Sequence, residues 1–248
     1  MAASRRNSAG LIRHALALLV ILLLPAPRAT ASEGNSTNSS LHLSWPHLNA
    51  TLLGFPPAFI PPVTWVAAVD PCSSWEGVVC NQYGEVTEVS LSEKGLKGRL
   101  PVGWSELSAL EILDLEKNSL EGGLPAEWSV LSSLKELNVR FNKLTGTIPG
   151  QWSALQAIEA LLLGGNKLTG SLPLDWRSFT AVRGLALGHQ KLTGTLPAEW
   201  SLMTTLEFLD LSHAKFQGTL PQEWSSFRSL NFMAVYSTKA TGTLPAQW

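Results

Sequence analysis

Few residues of this sequence have the types and spacing that catalysis or metal binding requires. An active site needs a nucleophile beside a base, or paired carboxylates in a pocket. After the first 31 residues the chain has only four histidines and no phosphate-binding glycine motif. His189 and His213 stand 24 residues apart; such a pair could titrate near neutral pH or bind a metal, although a solvent-exposed pair is the commoner outcome. We therefore predict a protein that is not an enzyme and uses no cofactor or metal.

The chain has two cysteines, Cys72 and Cys80. In a protein routed to an oxidising compartment, two cysteines at such close spacing usually form a disulfide. Two free buried thiols are the alternative that the sequence leaves open. Whether the two cysteines are expected to form a disulfide therefore depends on whether the protein enters an oxidising compartment.

The N-terminal segment has the plan of a secretory signal peptide. Arginines near the start precede an apolar run from Ala15 to Leu24, and small residues precede Ala31. The run is too short to span a bilayer comfortably, so a cleaved signal over residues 1–31 is favoured over an uncleaved anchor. We expect the protein to be secreted or displayed on the extracellular face of the plasma membrane.

Residues 32–64 form a segment rich in Ser, Asn and Pro that we expect to be glycosylated. It carries three Asn-x-Ser/Thr motifs, which begin at Asn35, Asn38 and Asn49. These motifs agree with a secretory route.

Charge argues against nucleic acid as a partner. Removal of residues 1–31 takes away four arginines and no acids, which leaves 14 basic against 19 acidic residues and a net charge of −5. A mildly acidic chain without a basic stripe lacks the counterion release that drives non-specific nucleic-acid binding.

A 24-residue repeat organises the chain from Val86 to Trp248. Leucines alternate within each copy, as at Leu113 and Leu115, which is typical of a short strand with one buried side. One copy cannot bury its apolar face alone, so we predict a solenoid in which stacked repeats bury it. Tryptophan recurs at the same interval, where we expect it to pack in the core. The tryptophans are Trp104, Trp128, Trp152, Trp176, Trp200, Trp224 and Trp248.

Asparagine occupies one turn position in three successive repeats. These residues are Asn118, Asn142 and Asn166. An inward amide can hydrogen-bond turn backbone groups that would otherwise be buried unpaired, so we expect an asparagine ladder. The same position then holds Gln190, Ala214 and Thr238, whose side chains are longer or less able to donate and accept together. We therefore expect looser packing in the last three repeats.

The phrase Leu-x-x-Leu-x-Leu-x-x-Asn-x-Leu-x-Gly-x-Leu-Pro, at residues 110–125, resembles the plant-type leucine-rich repeat of receptor ectodomains and polygalacturonase inhibitors. The resemblance covers roughly residues 65–248. It implies an α/β solenoid, a horseshoe with parallel strands on its concave side, an irregular convex side and about seven 24-residue repeats. Residues 65–85 are similar to the N-terminal cap of that family, in which the paired cysteines, here Cys72 and Cys80, close the end of the solenoid.

The phrase Pro-Ala-Glu-Trp-Ser, at residues 125–129 and 197–201, more closely resembles the kinetoplastid promastigote surface antigen family, in which tryptophan replaces the plant leucine. This resemblance implies a surface-displayed or shed glycoprotein, commonly held by a lipid anchor, that contacts host components. The sequence departs from the family because it stops in mid-repeat at Trp248, with no C-terminal cap or anchor signal. We expect residues 86–248 to be a truncated array whose membrane association would need an anchor missing from this chain.

On the concave face, the outward residues of the predicted strands form columns with neighbours about 4.8 Å apart. Their character changes from acidic near the cap, through small in the centre, to aromatic near the end. Exposed aromatic patches on a rigid scaffold commonly mark protein interfaces, although these could instead cover further repeats. The candidate binding face comprises Asp114, Glu116, Asn138, Arg140, Leu162, His189, Phe208, Asp210, His213, Phe232 and Tyr236.

The outward side chains vary from repeat to repeat, whereas the leucines stay the same. Binding specificity and folding can therefore depend on different residues. The leading hypothesis is therefore a cell-surface or secreted protein for protein–protein recognition and adhesion, with a protein or glycoprotein ligand on the concave face. One alternative is an ectodomain fragment of a leucine-rich repeat receptor, which would need a membrane span and a cytoplasmic domain after Trp248. Another is a secreted inhibitor of a hydrolase.

Overall fold

The computed structural model describes residues 71–244 and 246. The predicted signal peptide, the motifs at Asn35, Asn38 and Asn49, residues 65–70 of the predicted cap and Trp248 lie outside the described residues. Within the described ranges, no helix is long and apolar enough to cross a membrane.

Short strands recur along the whole described part of the chain. Numbered in chain order, they are β1 Val78–Cys80, β2 Val86–Ser90, β3 Lys97–Arg99, β4 Ile112–Asp114, β5 Ser119–Gly122, β6 Glu136–Asn138, β7 Lys143–Leu144, β8 Ala160–Leu162, β9 Gly184–Ala186, β10 Phe208–Asp210, β11 Gln217–Gly218, β12 Phe232–Ala234 and β13 Lys239–Ala240. The main sheet has the order β1-β2-β4-β6-β8-β9-β10-β12. Apart from the antiparallel pair of β1 with β2, its neighbours are parallel and pair residues 24 apart, as Leu113 pairs with Leu137. The predicted solenoid of parallel strands is confirmed.

The core lies behind the main sheet, where the leucines of each strand meet those of the next repeat. Leu113, Leu115, Leu137 and Leu161 have no exposed surface. Burying a leucine side chain contributes roughly 1.5–3 kcal/mol, and here each one is covered by the repeats on either side. The alternation in the sequence therefore becomes one continuous apolar interior.

The segments that return from one strand to the next contain short 3-10 helices. They span Val102–Glu106, Ala126–Val130, Gly150–Ala154, Leu174–Ser178, Ala198–Leu202 and Gln222–Ser226. The only α-helix among the described residues is α1, Pro71–Ser74. Each 3-10 helix follows a proline in extended geometry, such as Pro125 with φ −67°, because the proline ring fixes φ near this value. The prediction of an irregular side opposite the strands is confirmed.

The repeated tryptophans connect neighbouring return segments through hydrogen bonds and ring stacking. The indole N–H of Trp152 donates to the Pro125 carbonyl at 2.8 Å, and that of Trp128 donates to the Pro101 carbonyl at 2.9 Å. The two rings stack with centroids 6.4 Å apart. Within the described part of the chain, the buried indole N–H of Trp176 has no hydrogen-bond partner. Tryptophan thus supplies both apolar area and a bond between repeats.

The turn asparagines bond to the repeat that precedes them. The Asn142 amide oxygen accepts from the Leu120 N–H at 2.9 Å, and its NH₂ group donates to the Leu115 carbonyl at 2.9 Å. Asn118 and Asn166 make the equivalent bonds.

Gln190 continues the same pattern, because its longer side chain still reaches both groups: its oxygen accepts from Leu168 N–H at 3.1 Å and its NH₂ donates to the Leu163 carbonyl at 2.6 Å. The expectation of looser packing in the last three repeats is therefore wrong for the repeats that contain Gln190 and Ala214. Leu206, Leu211 and Phe216 remain fully buried beyond it. In the final repeat Leu230, Met233 and Val235 are only partly buried, which agrees with looser packing there.

Residues 71–85 lie against the first edge of the main sheet. A disulfide joins Cys72 in α1 to Cys80 at the end of β1, with the two Cα atoms 5.5 Å apart. The alternative of two free thiols is excluded. Trp75 is buried between these elements and the core, so the apolar edge of the first repeat is covered.

Candidate binding face

The outward residues of the main sheet form a surface that we call the sheet face. Two columns with a 24-residue register run across it. The first contains Glu88, Ile112, Glu136, Ala160, Gly184, Phe208 and Phe232. The second contains Ser90, Asp114, Asn138, Leu162, Ala186, Asp210 and Ala234. Six of the predicted face residues therefore lie in these columns, and the others follow the strands.

Three predicted face residues near the N-terminal end bond to one another. The Asn138 NH₂ group donates to Asp114 Oδ2 at 3.1 Å and to Glu116 Oε2 at 3.2 Å. The Glu116 backbone N–H donates to Asp114 Oδ1 at 2.7 Å. All three side chains are buried. They form a closed polar network and leave little surface for a ligand.

A depression of about 160 Å³ lies in the middle of the sheet face. Its apolar lining is Ile112, Ala160, Leu162, Gly184, Ala186 and Phe208. Its charged lining is Lys135, Glu136, Arg140, Glu159, Arg183, Glu207 and Asp210. The structure thus brings together four of the predicted face residues here, namely Arg140, Leu162, Phe208 and Asp210.

Close packing beside the depression requires a glycine at Gly188. A Cβ atom on Gly188 would lie 2.6 Å from the Asp210 carboxylate, so a side chain there would displace Asp210. That carboxylate in turn accepts from the Ser212 backbone N–H at 2.9 Å and hydroxyl at 2.6 Å. A Cβ atom on Gly184, which lines the depression, would have no neighbour within 4 Å, so packing does not require a glycine there.

Aromatic rings occupy the C-terminal part of the sheet face. Phe208 and Phe232 stack with centroids 4.8 Å apart. His189 and His213 stack at 4.1 Å, and the edge of Tyr236 meets His213 at 5.1 Å. Phe232 is 49% exposed and Tyr236 is 60% exposed. Across residues 71–244 and 246, no group of three or more His, Cys, Asp or Glu side chains could hold a metal.

Sequence reasoning missed the backbone conformation of the turn that carries the two histidines. His189, His213, Lys117 and Phe141 all have φ between 51° and 57°, in the left-handed region that most residues avoid. Gly165 holds the same position; a Cβ there would lie 2.5 Å from the Phe141 ring. A glycine at this repeat position was the sequence feature that could have indicated the left-handed conformation.

Sequence reasoning also missed a row of alternating charges beside the strands. It consists of Glu111, Lys135, Glu159, Arg183 and Glu207. Lys135 Nζ lies 2.5 Å from Glu111, and Arg183 lies 2.7 Å from Glu207 and 3.9 Å from Glu159. Such exposed pairs contribute little stability, roughly 0–1 kcal/mol each. The row matters because four of its members line the depression, namely Lys135, Glu159, Arg183 and Glu207.

Glu136 is the third feature that was missed. The residue is 6% exposed, and within the described residues its buried Oε1 atom has no hydrogen-bond partner. Burial, followed by the negative charges of Asp114, Glu159 and Glu88, raises the pKa of Glu136 to about 8. The sequence feature that could have indicated this is an acid in the first column between Ile112 and Ala160. Burial at such a position raises the pKa of a lone carboxyl group.

Comparison with known proteins agrees with the observed architecture. A family model described as leucine rich repeat matches residues 108–168, and a second leucine-rich repeat model matches residues 205–227. The chain therefore contains leucine-rich repeats in a leucine-rich repeat solenoid, a fold typical of non-enzymatic protein-binding scaffolds.

Similar proteins include plant receptors. Over 47 residues the chain is 47% identical to a probable leucine-rich repeat receptor-like protein kinase of Arabidopsis thaliana, a match that covers 18% of this chain and 5% of that kinase. The structure of PEPR1–AtPEP1 is similar with a TM-score of 0.71 and 28% identity, covering 79% of this chain and 28% of that one.

The Arabidopsis receptor kinase HAESA, in complex with the peptide hormone IDA and the co-receptor SERK1, is similar with a TM-score of 0.63 and 27% identity, covering 65% of this chain and 27% of HAESA. The chain thus spans less than a third of each of these relatives. None of these matches supports the resemblance to the kinetoplastid surface antigen family.

Proposed function

We propose that this chain is a ligand-binding part of an extracellular leucine-rich repeat receptor ectodomain, and that a peptide binds in extended form across the sheet face. This is the receptor alternative raised by the sequence, and the similarity to plant receptor ectodomains favours it over a surface antigen. The complex of HAESA with a peptide hormone makes a peptide the ligand class to test first.

The central depression is the observation that carries this proposal. Ligand sites are typically concave, mostly apolar and equipped with a few polar groups that fix orientation. Here Ala160, Gly184 and Ala186 keep the floor low, so a peptide backbone could approach the strands, while Leu162 and Phe208 offer apolar contacts. Charges of both signs stand at the sides of the depression and could set the register of the peptide.

An extracellular location is part of the proposal. The signal-like residues 1–31 and the glycosylation motifs at Asn35, Asn38 and Asn49 support it, since both belong to secreted chains. The disulfide between Cys72 and Cys80 agrees with an oxidising compartment.

Selection of peptides from a random phage-displayed library on the full chain tests the proposal. Selected peptides are expected to lose at least about tenfold in affinity for Ala186→Trp, because the indole fills the depression that Ala186 lines. Val130→Trp is the matched control, since Val130 is 61% exposed in a return segment. It should bind the peptides as the unmodified chain does.

Two outcomes contradict the proposal. Selection may yield no specific peptide, or the selected peptides bind Ala186→Trp and Val130→Trp with equal affinity. Equal affinity would place binding elsewhere on the molecule and leave the depression without a role.

A further inference from the structure

Glu136 differs from the other buried polar side chains of the sheet face. Asp114, Glu116 and Asn138 bond to one another, whereas the Glu136 Oε1 atom has no hydrogen-bond partner among the described residues. A buried acceptor without a partner destabilises the folded protein. Glu136 lines the depression, so a ligand bound there could supply the missing hydrogen-bond partner.

The cations around Glu136 have other partners. Lys135 pairs with Glu111, Arg183 pairs with Glu207, and the Arg140 guanidinium lies over the Phe141 ring, 4.8 Å from its centre. The groups whose charges act on Glu136 are acids: Asp114 and Glu88 from the preceding strands and Glu159 from the following repeat. Three acids therefore surround Glu136, and no cation among the described residues bonds to its Oε1 atom.

We propose that Glu136 anchors a subsite for one cationic group, the guanidinium or ammonium of an arginine or lysine in a bound peptide, beside an apolar subsite formed by Leu162 and Phe208. A cation placed there would donate a charge-assisted hydrogen bond to the buried carboxylate, which is stronger than a neutral one. It would also be attracted by the three neighbouring acids. This inference rests on the proposed function and names the chemistry of its ligand.

Proton release accompanies binding at this subsite. With its pKa near 8, free Glu136 is mostly protonated at neutral pH, and a cation binds the ionised form. Affinity is therefore expected to rise by up to about tenfold per pH unit below pH 8 and to level off above it. The other charged residues that line the depression are Lys135, Arg140, Glu159, Arg183, Glu207 and Asp210.

The test starts from the same phage-displayed library, selected in parallel on the full chain, on Glu136→Gln and on the control Glu121→Gln. Glutamine matches the size of the protonated carboxyl, so Glu136→Gln should fold. Glu121 is an exposed acid of β5, which belongs to a different sheet from the sheet face. Peptides from the unmodified chain and from Glu121→Gln should be enriched in arginine or lysine beside an apolar residue, and those from Glu136→Gln should not.

Synthetic versions of one selected peptide then isolate the contact. Replacing its basic residue by citrulline should weaken binding to the unmodified chain by at least about tenfold, and to Glu136→Gln by no more than about twofold. Exchanging arginine for lysine separates a guanidinium from an ammonium preference. The rise of affinity with pH should disappear in Glu136→Gln.

Equal enrichment of basic residues on the unmodified chain and on Glu136→Gln would overturn the cation subsite while leaving peptide binding intact. A citrulline effect of the same size in both proteins would do so as well. Failure of every selection would overturn the proposed function, and the subsite with it.

Discussion

The repeats up to Gln190 and those after it share the same apolar scaffold but differ in the polar group at the turn. In the first part an amide side chain bridges each turn to the repeat before it, as Asn142 does. In the second part this position holds the buried Ala214 and then Thr238, whose hydroxyl donates only within its own repeat, to Val235. Leucine burial is nevertheless complete at Leu209 and Leu211.

The comparison shows that the apolar stack and the amide ladder have separate roles. Stacking alone buries the leucines, because each repeat covers the next. The amides satisfy backbone groups at the turn, which would otherwise lose hydrogen bonds on burial. We expect the two parts of the array to differ more in local stability than in structure.

The largest expected effect comes from removing a tryptophan in the first part. Trp152→Ala should lower the free energy of unfolding by about 3–5 kcal/mol, because Trp152 is fully buried, stacks on Trp128 and bonds to Pro125. Trp224→Ala in the second part should cost less, since its neighbour Phe227 is only partly buried. Guanidinium unfolding followed by circular dichroism measures both. Equal losses would mean that the two parts are equally well packed.

A buried acid in the first part should make stability depend on pH. Since the pKa of Glu136 is raised from 4.5 to about 8, the folded state binds more protons than the unfolded state between these values. Stability contributed by this group is therefore full below pH 4.5 and falls as pH rises, by up to roughly 1.4 kcal/mol per unit, until it levels off near pH 8. Unfolding across this range should show a smaller fall in Glu136→Gln. Parallel pH profiles for the two proteins would contradict the prediction.

Removing a turn amide should cost less than removing a tryptophan. Asn142→Ala should destabilise the protein by roughly 2–3 kcal/mol, because the Leu120 N–H loses its partner and the Leu115 carbonyl keeps only its bond from Asn118. Thr238→Ala in the second part is the matched control and should cost less than about 1 kcal/mol. Chemical denaturation gives both values. A loss for Thr238→Ala as large as that for Asn142→Ala would erase the distinction drawn between the two parts.

Adding an amide side chain at the turn of the second part should give the smallest change in the free energy of unfolding, and this change should be stabilising. Ala214→Asn places an amide where it could accept from the Leu192 N–H, by analogy with Asn142 and Leu120. We expect a gain of about 1 kcal/mol and slower hydrogen exchange at Leu192. Destabilisation would show that the second part has no room for the amide.

The 24-residue spacing of leucine and tryptophan was enough to predict the solenoid, its parallel strands and their register, because a strict repeat can bury its apolar face only by stacking. It also predicted which side chains share a column. The short return segments followed from proline and glycine.

Only the tertiary structure decided what the outward side chains do. Asp114, Glu116 and Asn138 bond to one another, and Gln190 donates to Leu163. Glu136 has a buried oxygen that finds no hydrogen-bond partner in the described part of the chain. Each outcome depends on directions and neighbours in adjacent repeats, since desolvation and hydrogen bonding are set by the few ångströms around a group. The spacing of residues along the chain carries no such information.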